Sequence, residues 1–172
     1  MTAPPQPTSP LATYRLQLHR AFTFADAMRA VPYLHALGIT DCYLSPISKA
    51  APGSEHGYDV IDPVVVNPEL GSEKDFDDFV REVQARGMGL VLDVVPNHMG
   101  VGDPCNEWWV DVLENGPASR YARYFDIDWH PINPNLEGKV LLPILGGMYG
   151  AELEKGHLRL SYESGSFWLH YY

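Results

Sequence analysis

Between Thr13 and Met99 the spacing of apolar residues switches repeatedly between two periods. Thr13-Tyr14-Arg15-Leu16-Gln17-Leu18 alternates and is rich in β-formers, which predicts a first strand. From Phe24 to Leu37 the apolar positions are Phe24, Ala27, Met28, Val31, Leu34 and Leu37, a helical spacing. Thr23 followed by Asp26 predicts a capping box, and Gly38 a stop. Pro32 lies inside this pattern and is expected to kink the helix or to sit on its exposed side. Ile39 to Pro46 predicts a second strand closed by its proline. A second helix is expected from Gly71-Ser72-Glu73 to about Arg86, with Phe76, Phe79, Val80 and Val83 on its inner face and Gly87 at its end.

The third strand is the near-continuous apolar run Leu90-Val91-Leu92-Asp93-Val94-Val95. Such a run predicts a strand buried on both faces, as in parallel sheets, and Pro96 withholds a ladder donor and should end it. The order β-α-β-α-β with helices between strands is the mark of a parallel sheet. After Met99 the regularity ends. Trp108 to Leu113 predicts a short helix, Val140 to Pro143 an edge strand, and His157 to Tyr162 with Ser166 to Tyr172 a hairpin about Glu163-Ser164-Gly165. A closed barrel of alternating strands and helices takes about 250 residues, so three strands and two helices leave strands one and three as open edges.

Composition changes this picture only by exclusion. The formal net charge of -10, from 22 acidic against 12 basic residues, argues against a phosphate-backbone binder and is compatible with a neutral polar substrate. No apolar run has bilayer length, so no membrane span is expected. Residues 1–12 begin with a Pro-rich stretch lacking the charged and apolar regions of a signal peptide, and read as a disordered lead-in. Cys42 and Cys105 show no metal-ligand spacing and read as free thiols of a cytoplasmic protein, Cys42 as a small core residue.

Candidate chemistry gathers in two places. Asp93 is a carboxylate within an apolar strand, costly unless paired, and Asn97 and His98 follow just past that strand's carboxyl end, where α/β barrels place their chemistry. The long segment 47–70 contains Gly53-Ser54-Glu55-His56-Gly57-Tyr58-Asp59, and a loop of that length in a compact domain is usually functional. Trp108, Trp109, Trp129 and Tyr149 read first as packing residues, with sugar platforms as the alternative. Asp111 and Glu114, three apart on a helix, read as a solvated face rather than a catalytic pair.

Asp93-x-x-x-Asn97-His98 resembles the first signature region of the α-amylase superfamily, at the end of barrel strand three, and Pro52-Gly53-Ser54-x-His56-Gly57-Tyr58-Asp59 resembles the loop after strand two. Asn106-x-Trp108-Trp109-x-Asp111-Val112-Leu113-Glu114-Asn115-Gly116-Pro117, Phe125-Asp126-Ile127-Asp128-Trp129 and Lys139-Val140-Leu141-Leu142-Pro143 resemble one group within it, the maltooligosyltrehalose synthases. The resemblance runs from about Tyr14 to Tyr172.

It implies an α/β fold: the first β-α-β-α-β part of a (β/α)8 TIM barrel over 13–99, then the start of a subdomain inserted after strand three over 100–172, the barrel being incomplete in this chain. It implies an intramolecular transglucosylation that turns the reducing-end α-1,4 bond of a maltooligosaccharide into an α,α-1,1 bond. A carboxylate nucleophile and a carboxylic acid carry that chemistry. Their motifs are absent from residues 1–172, so this polypeptide alone is expected to be an inactive N-terminal piece that needs the remainder of the barrel. The alternatives are an α-glucan hydrolase of the same superfamily and a non-catalytic glucan-binding module. Residue by residue, the resemblance implies that His98 donates to a hydroxyl of the sugar being cleaved and that Tyr58 stacks on that sugar. His56 and Asp59 are adjacent substrate-binding or loop-structuring candidates, and Asp93 organises the site. The family's partner for Asp93, an Arg on the next strand, is missing, which leaves Asp93 unpaired or protonated by desolvation. Asn97 matches a calcium-ligand position in many amylases; no metal and no cofactor are assigned.

Overall fold

The structure, a computed structural model, describes residues 9–102 and 105–172. Most of the expected lead-in, residues 1–8, thus lies outside the described residues. The first strand, β1 (Thr13–Leu16), is followed by helix α1 (Phe24–Ala36) and strand β2 (Asp41–Leu44). Strands β3 (Ser48–Ala50) and β4 (Val60–Val66), helix α2 (Glu73–Ala85) and strand β5 (Gly89–Leu92) come next. Strands β1, β2 and β5 form a parallel sheet in that order, with Thr13 opposite Asp41 and Asp41 opposite Gly89. β2 is central, and β1 and β5 are edges. No closed barrel exists among the described residues.

Both helices start where the sequence predicts. The Thr23 amide donates to the Asp26 carboxylate at 2.8 Å, and Ser72 and Asp75 bond reciprocally at 2.8 and 3.2 Å, so each capping box covers orphan amides of the first turn. Pro32 sits on the exposed side of a continuous α1. Strand alternation sends Leu16, Cys42, Leu44 and Leu90 to one sheet face, where α1 and α2 cover them with Phe24, Ala27, Val31, Leu34, Phe79 and Val83. Burial there, with Asp41 adding a like charge, pushes the Cys42 thiol up to about 11, so it behaves as a small apolar core residue. The ladder outlasts the strands by one step. Ser45 donates its amide to the Leu16 carbonyl at 3.0 Å, and its buried hydroxyl takes the Leu18 amide at 2.8 Å.

Two expectations are corrected here. β5 ends at Leu92 and is not buried on both faces: Val91 is half-buried and Leu92 exposed, because this strand is an edge. The segment 47–70 is not one loop. β3 and β4 pair antiparallel with register shifts, leaving only the stretch between them irregular. Asp62 and Pro63 inside β4 mask its strand signal.

The chain forms two compact units that divide after Phe125. Residues 100–102 and 105–125 pack within the first. The Asn106 side chain caps helix α3 (Glu107–Asn115), accepting from the Trp109 amide at 3.0 Å, and donates to the Gly100 carbonyl at 2.7 Å, while the Gly100 amide reaches the Val60 carbonyl at 2.7 Å. The second unit holds helix α4 (Tyr149–Glu154) and the expected hairpin, β6 (Leu158–Glu163) with β7 (Ser166–Tyr171). The expected edge strand at Val140–Pro143 does not form. Pro143 withholds a donor, Leu141 is exposed, and no strand of this unit lies alongside. Among the described residues no helix is long and apolar enough to cross a membrane.

Candidate functional site

Alternation that sends Leu16, Cys42 and Leu44 to the helices sends Arg15, Tyr43 and Val91, in register, to the opposite sheet face, with Asp93 one step further along the same line. Among the described residues, the two helices packed on this sheet, α1 and α2, both lie on its other face. Three donors converge on Asp93 Oδ2 there: the Tyr58 hydroxyl at 2.5 Å, Arg15 Nη1 at 3.0 Å and the Tyr43 hydroxyl at 3.1 Å. Arg15 is shared. Its Nη2 donates to the Tyr58 hydroxyl at 2.9 Å, and its guanidinium lies 4.6 Å from the Tyr43 ring centroid.

Asp93 is therefore paired, which corrects the expectation that it stands alone or is protonated. Its partner comes from β1 instead of a later strand. The Tyr58 hydroxyl, followed by Arg15 and Tyr43, holds the carboxyl below the ordinary aspartate range against the opposing effect of burial. By the same bond the Tyr58 phenol is raised, so it remains a neutral donor. Tyr58 is pinned by its hydroxyl while 38% of its surface stays open.

Tyr58 stands on the stretch between β3 and β4, which is closed at its base by the Ala51 amide donating to the Asp59 carbonyl at 3.0 Å. Gly57 adopts φ +76°, and a Cβ there would meet the Pro46 carbonyl oxygen at 3.0 Å, so glycine lets this turn lie against the end of β2. The other expected site residues divide. His98 is brought in: its Nε2 lies 3.0 Å from the Tyr58 carbonyl oxygen and its Nδ1 lies 3.0 Å from Asn97 Oδ1. His56 stacks against Tyr58 with ring centroids 6.0 Å apart, and its Nδ1 accepts the Tyr58 amide at 3.0 Å. Asp59 accepts from the Ser54 hydroxyl at 2.5 Å, and its Oδ1 lies 3.8 Å from His56 Nδ1.

Two of the aromatic candidates after residue 99 pack elsewhere in the first unit. Trp109 is buried and packs on Phe125, and Trp108 stacks on Tyr121 at 4.8 Å. Asp111 is occupied by Ser119 and Asn115, while Glu114 is exposed, so these two acids form no pair. Arg15 and Tyr43 escaped the sequence reading. Their signal was present, since each alternates with residues that belong to the core, but alternation gives a face and not a contact.

The model for the catalytic domain of α-amylase matches residues 27–172. The chain belongs to the α-amylase family. That places these strands in a TIM-barrel fold, of which the described residues form a part. A putative maltooligosyl trehalose synthase of Mycobacterium tuberculosis (strain H37Rv) is 47% identical over 142 residues, 79% of this chain and 18% of that protein. The solved maltooligosyltrehalose synthase of Arthrobacter ramosus superposes with a TM-score of 0.74 at 47% identity, covering 88% of this chain and 19% of that one. The α-amylase SusG of Bacteroides thetaiotaomicron is 37% identical over 118 residues, 69% of this chain and 16% of that protein. The chain thus spans about a fifth of the length of the family members it matches.

Proposed function

We propose that this chain is the first part of the catalytic barrel of a maltooligosyltrehalose synthase, an isomerase that moves a glucosyl unit within one maltooligosaccharide. In this reading residues 13–99 supply the first barrel strands and their sugar-facing loop, and residues from about 100 begin the inserted subdomain. The observation that carries it is the convergence of Tyr58, Arg15 and Tyr43 on Asp93 at the carboxyl ends of parallel strands, the side on which barrels of this fold do chemistry. The similarity to synthases supports the choice of reaction.

The residues have separable tasks. Tyr58 offers a ring to the apolar C–H face of the glucose at the bond being cleaved, and its hydroxyl tie keeps that ring from turning. His98, whose Nε2 meets the Tyr58 carbonyl in the sugar-free protein, exchanges that partner for a hydroxyl of the same glucose when the substrate binds. His56 borders the ring, and Asp59 holds the loop. Asp93 remains an anion that organises Arg15, Tyr43 and Tyr58 and takes no part in bond breaking. The nucleophile and the proton donor of a retaining transfer lie outside these residues, so residues 1–172 alone turn over no substrate. The freed glucose must stay bound while it reorients for attack through its anomeric hydroxyl, which a pocket closed to water favours. We place the enzyme in the cytoplasm, with linear α-1,4-glucans as its substrates.

Maltopentaose tests this reading. The full-length gene product carrying this sequence should convert it to a non-reducing sugar ending in trehalose, with residues 1–172 alone giving no product. Shorter reducing sugars would instead make the protein a hydrolase, the reading that similarity to SusG favours.

A further inference from the structure

Gln17 follows Arg15 by two residues, on the same side of the chain, and makes no bond to Asp93. Its Nε2 donates to the Glu55 carbonyl at 3.1 Å and reaches the His56 carbonyl at 3.4 Å, while its Oε1 accepts from Arg15 Nη2 at 3.4 Å. Those two carbonyls belong to the turn just before Tyr58. The same turn is tied from within by the Gly57 amide donating to the Ser54 hydroxyl at 3.1 Å, and His98 Nε2 meets the Tyr58 carbonyl from the third-strand side. Strand β1 and the residue that follows it therefore hold this loop twice, through Arg15 at the Tyr58 hydroxyl and through Gln17 at the backbone. Gln17 is exposed and contributes nothing to the apolar core, so its bonds are directional and local.

We infer that Gln17 is a positioning residue: through the carbonyls of Glu55 and His56 it presets the 54–58 turn, so that the Tyr58 hydroxyl meets Asp93 before any sugar arrives. The benefit to binding rests on the proposed sugar-stacking role of Tyr58; the presetting itself does not. A ring already ordered loses less freedom when a ligand docks on it.

The test is carried out on the whole chain labelled at tyrosine Cζ, with the Tyr58 resonance assigned by Tyr58→Phe. Gln17→Met keeps the length of the side chain and removes both donors. The expected result is a Tyr58 phenol that titrates at lower pH than in the parent protein, because its bond to Asp93 is made less often. Amide exchange at Gly57 and Tyr58 should be about fivefold faster, the factor for one modest hydrogen bond. Exchange in α1 and α2 should stay unchanged. An unaltered Tyr58 titration and loop exchange in Gln17→Met overturns the inference, and so does faster exchange that extends equally into α1 and α2. Gln17→Ala repeats the test with a shorter donor-free side chain. Maltopentaose added to full-length protein separates the two readings: a loop that loosens as expected while Tyr58→Phe and Tyr58→Ala leave binding unchanged retains the positioning role and removes the sugar role.

Discussion

Up to Phe125 the protein is ordered by a continuous apolar cluster that runs from Leu16 through Phe24, Val31, Leu44, Phe79 and Val83 to Met88. From Asp126 onward the one buried side chain among the described residues is a carboxylate, Glu152. It accepts from His157 Nδ1 at 2.8 Å, from the Tyr171 hydroxyl at 3.1 Å and from Lys155 at 3.4 Å, and the Gly146 amide donates to that same Tyr171 hydroxyl at 2.7 Å. Helix α4 and the hairpin are thus joined through polar bonds to one acid, while Leu160, Phe167 and Leu169 stay exposed. Apolar burial is non-directional and indifferent to pH, whereas a hydrogen-bonded carboxylate holds its neighbours only while it is ionised. One unit should therefore respond to volume and the other to charge.

Phe79→Ala tests the first half of that contrast and carries the largest expected effect. The ring is fully buried between helix and sheet, so its truncation should cost about 3–5 kcal/mol in chemical denaturation of the first unit. Loss of less than about 1 kcal/mol would mean that the apolar cluster does not hold this unit together.

Glu152→Gln addresses the second half. His157, first among its partners, holds the Glu152 carboxyl below its ordinary value of 4.5, with Tyr171 and Lys155 adding to the effect. A lowered folded-state value means that the contribution to stability is complete above about 4.5 and is lost as pH falls through the folded-state value. The parent's second unit should accordingly lose hairpin amide protection in acid, and Glu152→Gln should lose it at neutral pH with little further dependence on acid. Equal acid sensitivity in parent and variant would remove Glu152 as the cause.

The first unit contains its own charge-dependent spot at Asp93, and this sharpens the comparison. Asp93→Asn should cost about 1–2 kcal/mol through poorer partners for Arg15 and Tyr58. It should also bring the Tyr58 phenol back toward its ordinary value of 10.0. Because the Asp93 carboxyl is held below 3.8, its contribution should persist above that pH and fade as acid reaches the lowered value. The core amides of α1 and α2 should be unaffected, and their coordinated loss in denaturant titrations of this variant would show that site and core are not separable. The smallest effect belongs to the hairpin surface. Leu160→Thr and Leu169→Thr, on exposed positions, should each change stability by less than about 0.5 kcal/mol.

The parts legible in the sequence share one property: their cause is local. Helices α1 and α2 follow from apolar spacing and from the Thr23–Asp26 and Ser72–Asp75 boxes, all within a few residues of each other. The hairpin follows from two β-prone runs about Glu163-Ser164-Gly165. Tyr58, Asp93 and His98 were recognisable by their motifs, and the structure brings these three within one connected set of hydrogen bonds. Local pattern failed where a partner from far along the chain decides. Val140 to Pro143 has a strand's composition and no strand beside it. Val91 and Leu92 have a buried strand's composition and lie on an edge.

Asp93 makes the division plain. That a carboxylate in an apolar run must be paired or give up its charge follows from the residue types alone, since an isolated buried charge is too costly to keep. Which groups pair it does not follow. Arg15 is 78 residues away, Tyr43 is 50 and Tyr58 is 35; Arg15 and Tyr43 reach Asp93 because parallel register aligns the ends of β1, β2 and β5, and Tyr58 because the turn at Gly57 lies against the end of β2. The sequence by itself determined helices α1 and α2 with their caps, the hairpin, the family and the cost of leaving Asp93 charged and alone. Only the tertiary structure decided the partner, because period and propensity act over a few residues while register couples strands separated by dozens.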